Sequence, residues 1–561
     1  MQLIECVPNF SEGRDLNIIK QITDEVESVE GVRLLNVDPG KATNRTVVTF
    51  VGEPAKVIEA AFLAIKKAGE LIDMSKHTGE HPRMGATDVC PLIPISNISM
   101  EETAEYAKQL AERVGKELQI PAYLYEYAQP DKKRSNLSVI RAGEYEGFFK
   151  KIKLSEWKPD FGPVEFDAKR GGTVIGARDF LIAYNVNLNT TSTRRANSIA
   201  FDVREAGRVM REGDPINGKI ITDANGKPRS IPGSLKAVKA IGWYIEEYGI
   251  AQISMNLTNI EVTPVHKAFD EVCTKATERG MRVTGSELVG LIPLKSMLDA
   301  GKYFLAKQQR STGVSEKELI RIAIKSMGLD ELSPFKPEER IIEYLLKDKA
   351  DRKLVSMSLS DFADETASES PAPGGGSISA YVGVLGASLA SMVANLSSHK
   401  KGWDNRWEEF SGWAERGQHY KNELIRLVDL DTIAFNKIMI AFGLPKSTDE
   451  EKTARTQAIQ SATKYAIEVP FTVMKAAYQS MEVIRAMAET GNPNSVTDAG
   501  VAALCARTAV LGAFMNVRVN ASGYHDKAYI QEILNEGEAL QQMAIDTEAE
   551  IIAIVNSKIG I

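Results

Sequence analysis

Short β-branched runs recur through roughly the first 330 residues of this chain, and beyond about residue 355 they all but vanish. That switch constrains the architecture. A single hydrophobic core stops growing at roughly 250 to 300 residues, and this chain has 561. Runs such as TVVTFVG (46–52), TVIGARDFLIAYNVNL (173–188) and AQISMNL (251–257) read as strands. Between them, residues 53–74 and 100–118 have helical spacing, and strands alternating with helices predict α/β layers. A loop rich in turn residues, PDFGPVEFDAKRGG (159–172), predicts a junction between two α/β subdomains near residue 175.

The later segments 378–396, 416–442, 449–490, 496–517 and 528–554 are long, rich in Ala, Leu, Met, Glu and Lys, and broken by Gly, Pro and Asn. They predict an all-helical bundle, joined through a proline- and charge-bearing stretch at 333–362. The expected division is two α/β subdomains at 1–175 and 176–330, a linker at 331–355 and a helical domain at 356–561. No internal repeat is visible.

Composition closes off other classes. With 68 Lys+Arg against 75 Asp+Glu and a net charge of -7, the chain has no electrostatic footprint for nucleic acid or an anionic membrane. Cys6, Cys90, Cys273 and Cys505 lie far apart, so neither a disulfide scaffold nor a structural zinc site is expected, and a reducing cytoplasm fits. The first residues lack a basic region followed by an apolar one, so no signal peptide is read. Residues 378–396 carry no charge over 19 positions, close to the ~20 that span a bilayer. Ser379, Ser388, Ser391 and Asn395 dilute that run and no other segment is expected to rival it, so a buried bundle helix or a subunit contact is predicted.

The densest group of reactive side chains is HTGEHPRMGATDVCPLIPI (77–95). His77 and His81 stand beside Glu80, Arg83 and Asp88, and imidazole gives and takes protons near neutrality. The order H-x-x-E-H matches a metal-binding pattern, but Gly79 and Pro82 break the helix that the pattern needs, so no metal is expected. The alternative is a histidine that ties down a loop. In SPAPGGGSISA (370–380), Gly374, Gly375 and Gly376 let backbone approach a ligand at a helix start, or else form a flexible entry with Ser377 as N-cap. In LVDLDTIAFNKIM (427–439), Asp429 and Asp431 point roughly 200° apart on a helix. One inward functional carboxylate and two solvated ones both remain open, with the solvated pair ahead on spacing alone. In GNPNSVTDAGVAALCA (491–506), Ser495 or Thr497 reads as a helix cap.

These strings resemble the formimidoyltransferase-cyclodeaminase family of bifunctional folate enzymes. The resemblance is carried by ECVPNFSEGRD (5–15), NRTVVTFVG (44–52), GEHPRMGATDVCPLIPI (79–95), RAGEYEG (141–147), PDFGP (159–163), GARDFLIAYNVNL (176–188) and GSELVGLIPL (285–294). It continues in FKPEERIIEYLL (335–346), APGGGSISA (372–380) and LVDLDTIAF (427–435).

The resemblance implies two active sites. In the first, two α/β subdomains face each other across a folate groove, and the formimino group moves from N-formimino-L-glutamate to N5 of tetrahydrofolate. His81 is the implied general acid/base, with Asp38 and Glu80 as partners. Gly162, Pro163, Lys169, Arg170 and Gly171 are implied in the folate-contacting loop, and Arg178 is a candidate for a substrate carboxylate. In the second, helical site, Asp431 is the implied acid that helps close 5-formiminotetrahydrofolate to 5,10-methenyltetrahydrofolate with loss of ammonia, with Gly374, Gly375, Gly376 and Ser377 holding part of the folate. Tetrahydrofolate is then a co-substrate, no cofactor is tightly bound, and the partners are the two substrates and further copies of the chain in a homo-oligomer. The competing readings are that one half serves only as a binding or structural module, or that the helical part is a methenyltetrahydrofolate cyclohydrolase.

Overall fold

The computed structural model describes residues 2–41, 43–79, 82–214, 217–346 and 354–560. The chain divides into two compact units, one of residues 1–297 and 324–346, the other of residues 298–323 and 347–561. The segment 298–323, which the sequence placed in the second α/β subdomain, clusters with the helical unit.

The first unit holds two main sheets, as the alternation of strands and helices predicts. The larger has seven strands, in the spatial order Val32–Gly40, Arg45–Gly52, the pair Leu3–Cys6 and Asn9–Phe10, Thr87–Ser96, Thr173–Ala177 and Ala122–Glu126. Thr173–Ala177 lies parallel to both of its neighbours. The helices Leu16–Glu27, Pro54–Leu71 and Met100–Glu117 supply the residues that cover one face, among them Ile22, Ile65 and Leu110 against Ile4, Cys6, Phe50 and Leu92. Asp15, the last residue of the first recognised string, starts Leu16–Glu27 by accepting the N–H groups of Asn17 and Ile18. Ser99 and Glu102 form a capping box for Met100–Glu117.

The second sheet is antiparallel, in the order Val238–Ile245, Ile250–Leu257, Ile182–Leu188 and Val283–Val289. Residues 173–188, which read as one strand, are therefore two strands in two sheets. A continuous strand of that length would run about 50 Å at ~3.3 Å per residue, and the chain instead breaks at Arg178–Asp179 and crosses over.

In the second unit the helices Gly375–Ser398, Trp407–Phe442, Asp449–Thr490, Val496–Ala521 and Lys527–Ile559 build one core. Gly375–Ser398 packs closely because it is rich in small residues: Gly383 lies against Leu424 and Ala509, and Gly386 against the backbone of Ala502. Most of its residues are buried, so it is a core helix, as expected. The expectation that no other segment rivals it is corrected. Among the described residues, the stretch Pro493–Ala521 is also long and apolar enough to cross a bilayer, and half of its apolar window is buried in the same core. Its small residues, Ala499, Ala502, Ala503, Ala506 and Ala509, pack against neighbouring helices.

Candidate active sites

Two recognised strings interlock in the first unit. Arg83 donates to Glu144 and Glu146, while Arg141 donates to Asp88, its Nε lying 3.1 Å from Oδ1. Asp88 is fully buried and also accepts the Met84 N–H at 3.0 Å, so its charge is partnered on every side and holds the turn at Met84. His77 is committed as well. Its Nε2 lies 2.8 Å from the Asn44 carbonyl, and its Nδ1 accepts from Arg83 Nε at 3.2 Å. Burial first, then the Arg83 charge, lowers its pKa, which keeps the ring neutral and suits a structural tie. His77 ends a one-turn 3-10 helix at Met74–Lys76 in extended backbone, so the helical metal face is not formed there. His81 and Glu80 lie outside the described residues. Among the described residues no three His, Cys, Asp or Glu side chains are grouped as a metal ion would require.

Asp38 lies on the strand Val32–Gly40, and its Oδ2 accepts the Gly290 N–H at 3.2 Å, just past the end of Val283–Val289. It therefore meets the second sheet at the edge of a polar face that the sequence reading missed. Tyr184, Val186 and Leu188 point to one side of Ile182–Leu188, and Asn185 and Asn187 point to the other. Asn187 pairs with Gln252 and Asn185 with Glu287, so strand pairing brings these polar residues onto one face. There Asn185 donates to Glu287 at 3.0 Å, Gln252 to Glu287 at 3.1 Å and to Asn187 at 2.9 Å, and Trp243 Nε1 to Gln252 at 3.0 Å. Tyr248, in the turn before Ile250, adds a bond to Glu287 at 3.2 Å. Burial and the Glu287 carboxylate push the Tyr248 phenol up to about 12, so it remains a donor. The alternation YNVN was the available signal for this face, but neither partner strand is near it in sequence.

In the loop implied to contact folate, Gly162 and Gly171 have positive φ, and a side chain on Gly171 would strike the Met84 carbonyl. Pro163 follows Gly162, half-buried between exposed neighbours. Lys169 Nζ donates to the Glu70 carbonyl at 2.7 Å, and Arg170 pairs with Asp167 and donates to the Leu118 carbonyl at 2.7 Å. These bonds fasten the loop to two helix ends. Arg178 donates to the Asp179 carbonyl at 2.9 Å, and its charge is felt by Glu5, Tyr125 and Glu126. Glu5 is buried, and burial raises its pKa to about 7 against the pull of Arg178.

The helical site forms where Gly375–Ser398 begins. Gly374 caps the helix without a side-chain bond, so Ser377 is not the N-cap that one reading expected. Ser377 lies one turn inside, fully buried, with its hydroxyl 3.0 Å from the Val428 carbonyl and 3.1 Å from Asp431 Oδ2. The Ser377 N–H also donates to Asp431. A side chain on Gly376 would occupy the space of the Asp431 carboxylate, so glycine is what admits that carboxylate to the helix start. Burial raises the Asp431 pKa, and the two Ser377 bonds oppose the rise. The reading of two solvated carboxylates is corrected. Asp429 is buried and accepts the Leu354 N–H at 2.8 Å, while Asp431 turns to Ser377, because different segments cover two sides of Trp407–Phe442. Ser495 stands at the N-cap of Val496–Ala521 without a side-chain cap bond, while Asn492 caps the preceding turn.

The chain is similar to known proteins over nearly its whole length. Family models match as the N-terminal subdomain of the formiminotransferase domain at residues 3–178, the formiminotransferase domain at 183–347 and formiminotransferase-cyclodeaminase at 358–539. A formimidoyltransferase-cyclodeaminase from Mus musculus is 42% identical over 552 residues, 98% of each chain. The chain belongs to the formimidoyltransferase-cyclodeaminase family. It is a bifunctional folate enzyme, a transferase and a cyclodeaminase in one polypeptide. The first part alone is 42% identical to a glutamate formimidoyltransferase from Thermoplasma acidophilum, covering 54% of this chain and 93% of that one. The helical part is 38% identical to a methenyltetrahydrofolate cyclohydrolase from Methylorubrum extorquens, covering 36% of this chain and 98% of that one. In this family's terms, the two formiminotransferase models meet across residues 178–183, where the chain crosses between sheets, and the cyclodeaminase model spans both Gly376 and Asp431.

Proposed function

We propose that the first unit moves the formimino group from N-formimino-L-glutamate to N5 of tetrahydrofolate with His81 as general acid/base. Transfer of an amidine carbon passes through a tetrahedral adduct: N5 loses a proton, the departing glutamate nitrogen gains one, and a single imidazole can do both. His77 has both ring nitrogens engaged, which leaves His81 as the imidazole of its string for this work. Asp38 and Glu80 orient it or steady the developing charge. Gly162, Pro163 and Gly171 shape the folate loop, Lys169 and Arg170 meet the glutamate tail, and Arg178 serves a substrate carboxylate.

In the helical unit, N10 attacks the formimino carbon within one molecule, so proximity supplies much of the rate. The leaving nitrogen takes one proton from N10 and a second from Asp431, departs as ammonia, and leaves the methenyl cation beside the new carboxylate. The observation that carries this reading is Asp431, held against Gly376 and Ser377 with its pKa raised by burial. Gly374, Gly375 and Gly376 with Ser377 then border the folate. Exposed Met439, Ile440, Phe442, Met515 and Val519 support self-association of this unit into a homo-oligomer. Histidine breakdown in the cytoplasm is the setting in which such a donor arises.

The purified chain, given both substrates, is expected to release ammonia and form the methenyl chromophore; transfer without ammonia would refute the cyclodeaminase step. His81→Ala is expected to abolish transfer yet leave cyclisation of supplied 5-formiminotetrahydrofolate intact, and loss of both would remove the separate-site reading. The likeness to a cyclohydrolase supports a second reading, in which the helical unit also opens the methenyl ring with water. Decay of supplied methenyltetrahydrofolate faster than in buffer supports it, and an unchanged rate overturns it.

A further inference from the structure

The polar face of the second sheet is unusual for a surface held out of water. Asn187 and Gln252 are fully buried and Asn185 nearly so, yet none of the three points toward the apolar side of the sheet. A covered sheet face with only a structural task would be apolar, because each buried polar group costs stability unless it is bonded. Here the amides are wired into an array that ends on two carboxylates, Glu331, which accepts from Asn187 at 2.6 Å, and Glu287. Glu287 receives Asn185 and Gln252 on Oε2 and Tyr248 on Oε1, so Oε1 carries a single bond and keeps acceptor capacity. Glu287 itself is half-buried, unlike the amides behind it. The array lies three residues along the strand from Gly290, the residue bonded to Asp38, a distance of about 10 Å at ~3.3 Å per residue. Tyr248 also feels the Asp38 charge.

We propose that this face holds the pterin ring of tetrahydrofolate, with Glu287 accepting from the 2-amino group and N3–H, and Asn185 and Gln252 as positioning residues that fix the carboxylate. The inference rests on the reading that tetrahydrofolate is the acceptor in the first unit. A reduced pterin is flat and presents two adjacent donors on its pyrimidine edge, which a carboxylate can accept together. Tyr248 offers aromatic surface beside the same carboxylate, and Trp243 beside the Gln252 amide. The other substrate fits less well: N-formimino-L-glutamate carries two carboxylates, which Glu287 repels, although its amidine also has N–H donors. Which substrate meets Glu287 is therefore decided by which KM changes.

The test uses the full chain and measures transfer with each substrate varied in turn. Glu287→Gln is expected to raise KM for tetrahydrofolate about tenfold or more, since a bond to a charged group is worth ~1.5–3 kcal/mol, and to leave KM for N-formimino-L-glutamate within about twofold. Cyclisation of supplied 5-formiminotetrahydrofolate is expected to be unchanged. The wild-type chain is expected to favour 6-methyltetrahydropterin over its analogue lacking the 2-amino group, and Glu287→Gln to lose that preference. Tyr248→Phe, at an exposed turn, is expected to raise the tetrahydrofolate KM about threefold and serves if Glu287→Gln does not fold. A rise confined to the N-formimino-L-glutamate KM, or a retained 2-amino preference in Glu287→Gln, would overturn the proposal. Failure of the wild-type chain to transfer at all would instead overturn the acceptor reading on which it rests.

Discussion

The two candidate sites differ in how many side chains each brings together. In the first unit, Glu287, Gln252, Asn185 and Tyr248 form a bonded array, Asp38 holds Gly290 beyond its end, and Arg83 pairs with Glu144 and Glu146 while Arg141 pairs with Asp88. In the helical unit, one carboxylate rests on one helix start. The contrast follows from the chemistry. A transfer between two molecules must hold both and move protons in both directions, whereas ring closure within one molecule begins with its reacting atoms tethered and asks mainly for an acid. Many bonds suit positioning; burial suits the acid.

The largest expected effect breaks the simpler site. Asp431→Asn keeps the volume and removes the proton, so ammonia release is expected to fall by about 10² to 10⁴ while transfer continues and the 5-formimino intermediate accumulates. Normal ammonia release would remove Asp431 from the mechanism. The same carboxyl gives a direction with pH: its pKa is raised, so cyclisation is expected to decline as pH rises through that value, and a flat profile would contradict an acid role.

Next in size is a stability effect confined to the first unit. Arg141→Ala strips the buried Asp88 of its hydrogen-bonded cation and leaves it the nearby charge of Arg45, a loss of up to about 3–5 kcal/mol. Thermal unfolding followed by calorimetry is expected to show an early transition while cyclisation at low temperature is retained; coincident loss of both would mean the units unfold together. A smaller effect concerns Glu5. Its folded pKa, about 7, lies above the ordinary value near 4.5, so the linked stability is complete below about pH 4.5 and is lost as pH rises through 7. Replacement by Gln is expected to remove up to about 3 kcal/mol of that pH dependence. An unchanged slope between pH 5 and 7 in denaturant titrations would show that Glu5 is ionised at little cost. The smallest is Lys169→Ala, at an exposed bond to the Glu70 carbonyl. It is expected to raise KM for polyglutamylated tetrahydrofolate by about threefold, with no change for the monoglutamate. Equal shifts for both would separate Lys169 from the tail.

The layered first part and the helical second part were legible because the periodicity changes, and four of the five long helices were found to within five residues of their ends, while the helix read as 416–442 begins nine residues earlier, at Trp407. Local pattern could not show that residues 173–188 serve two sheets, since the break depends on which neighbours each half pairs with. The cluster around His77 was visible, but its wiring was not: the partners of Arg83 lie 61 and 63 positions away. Asn185, Gln252 and Glu287 come from three strands and meet only after pairing. For Asp429 and Asp431, helical geometry posed the choice, and the segments packed on either side resolved it.

The cross-pairing of Asp88 with Arg141, and of Arg83 with Glu144 and Glu146, also bears on recombination. Each string supplies one cation to the other and takes one in return. An exchange with a relative that cuts between residues 88 and 141 strands a charge unless both parents carry the same partners, so a workable graft moves residues 77–147 as one block.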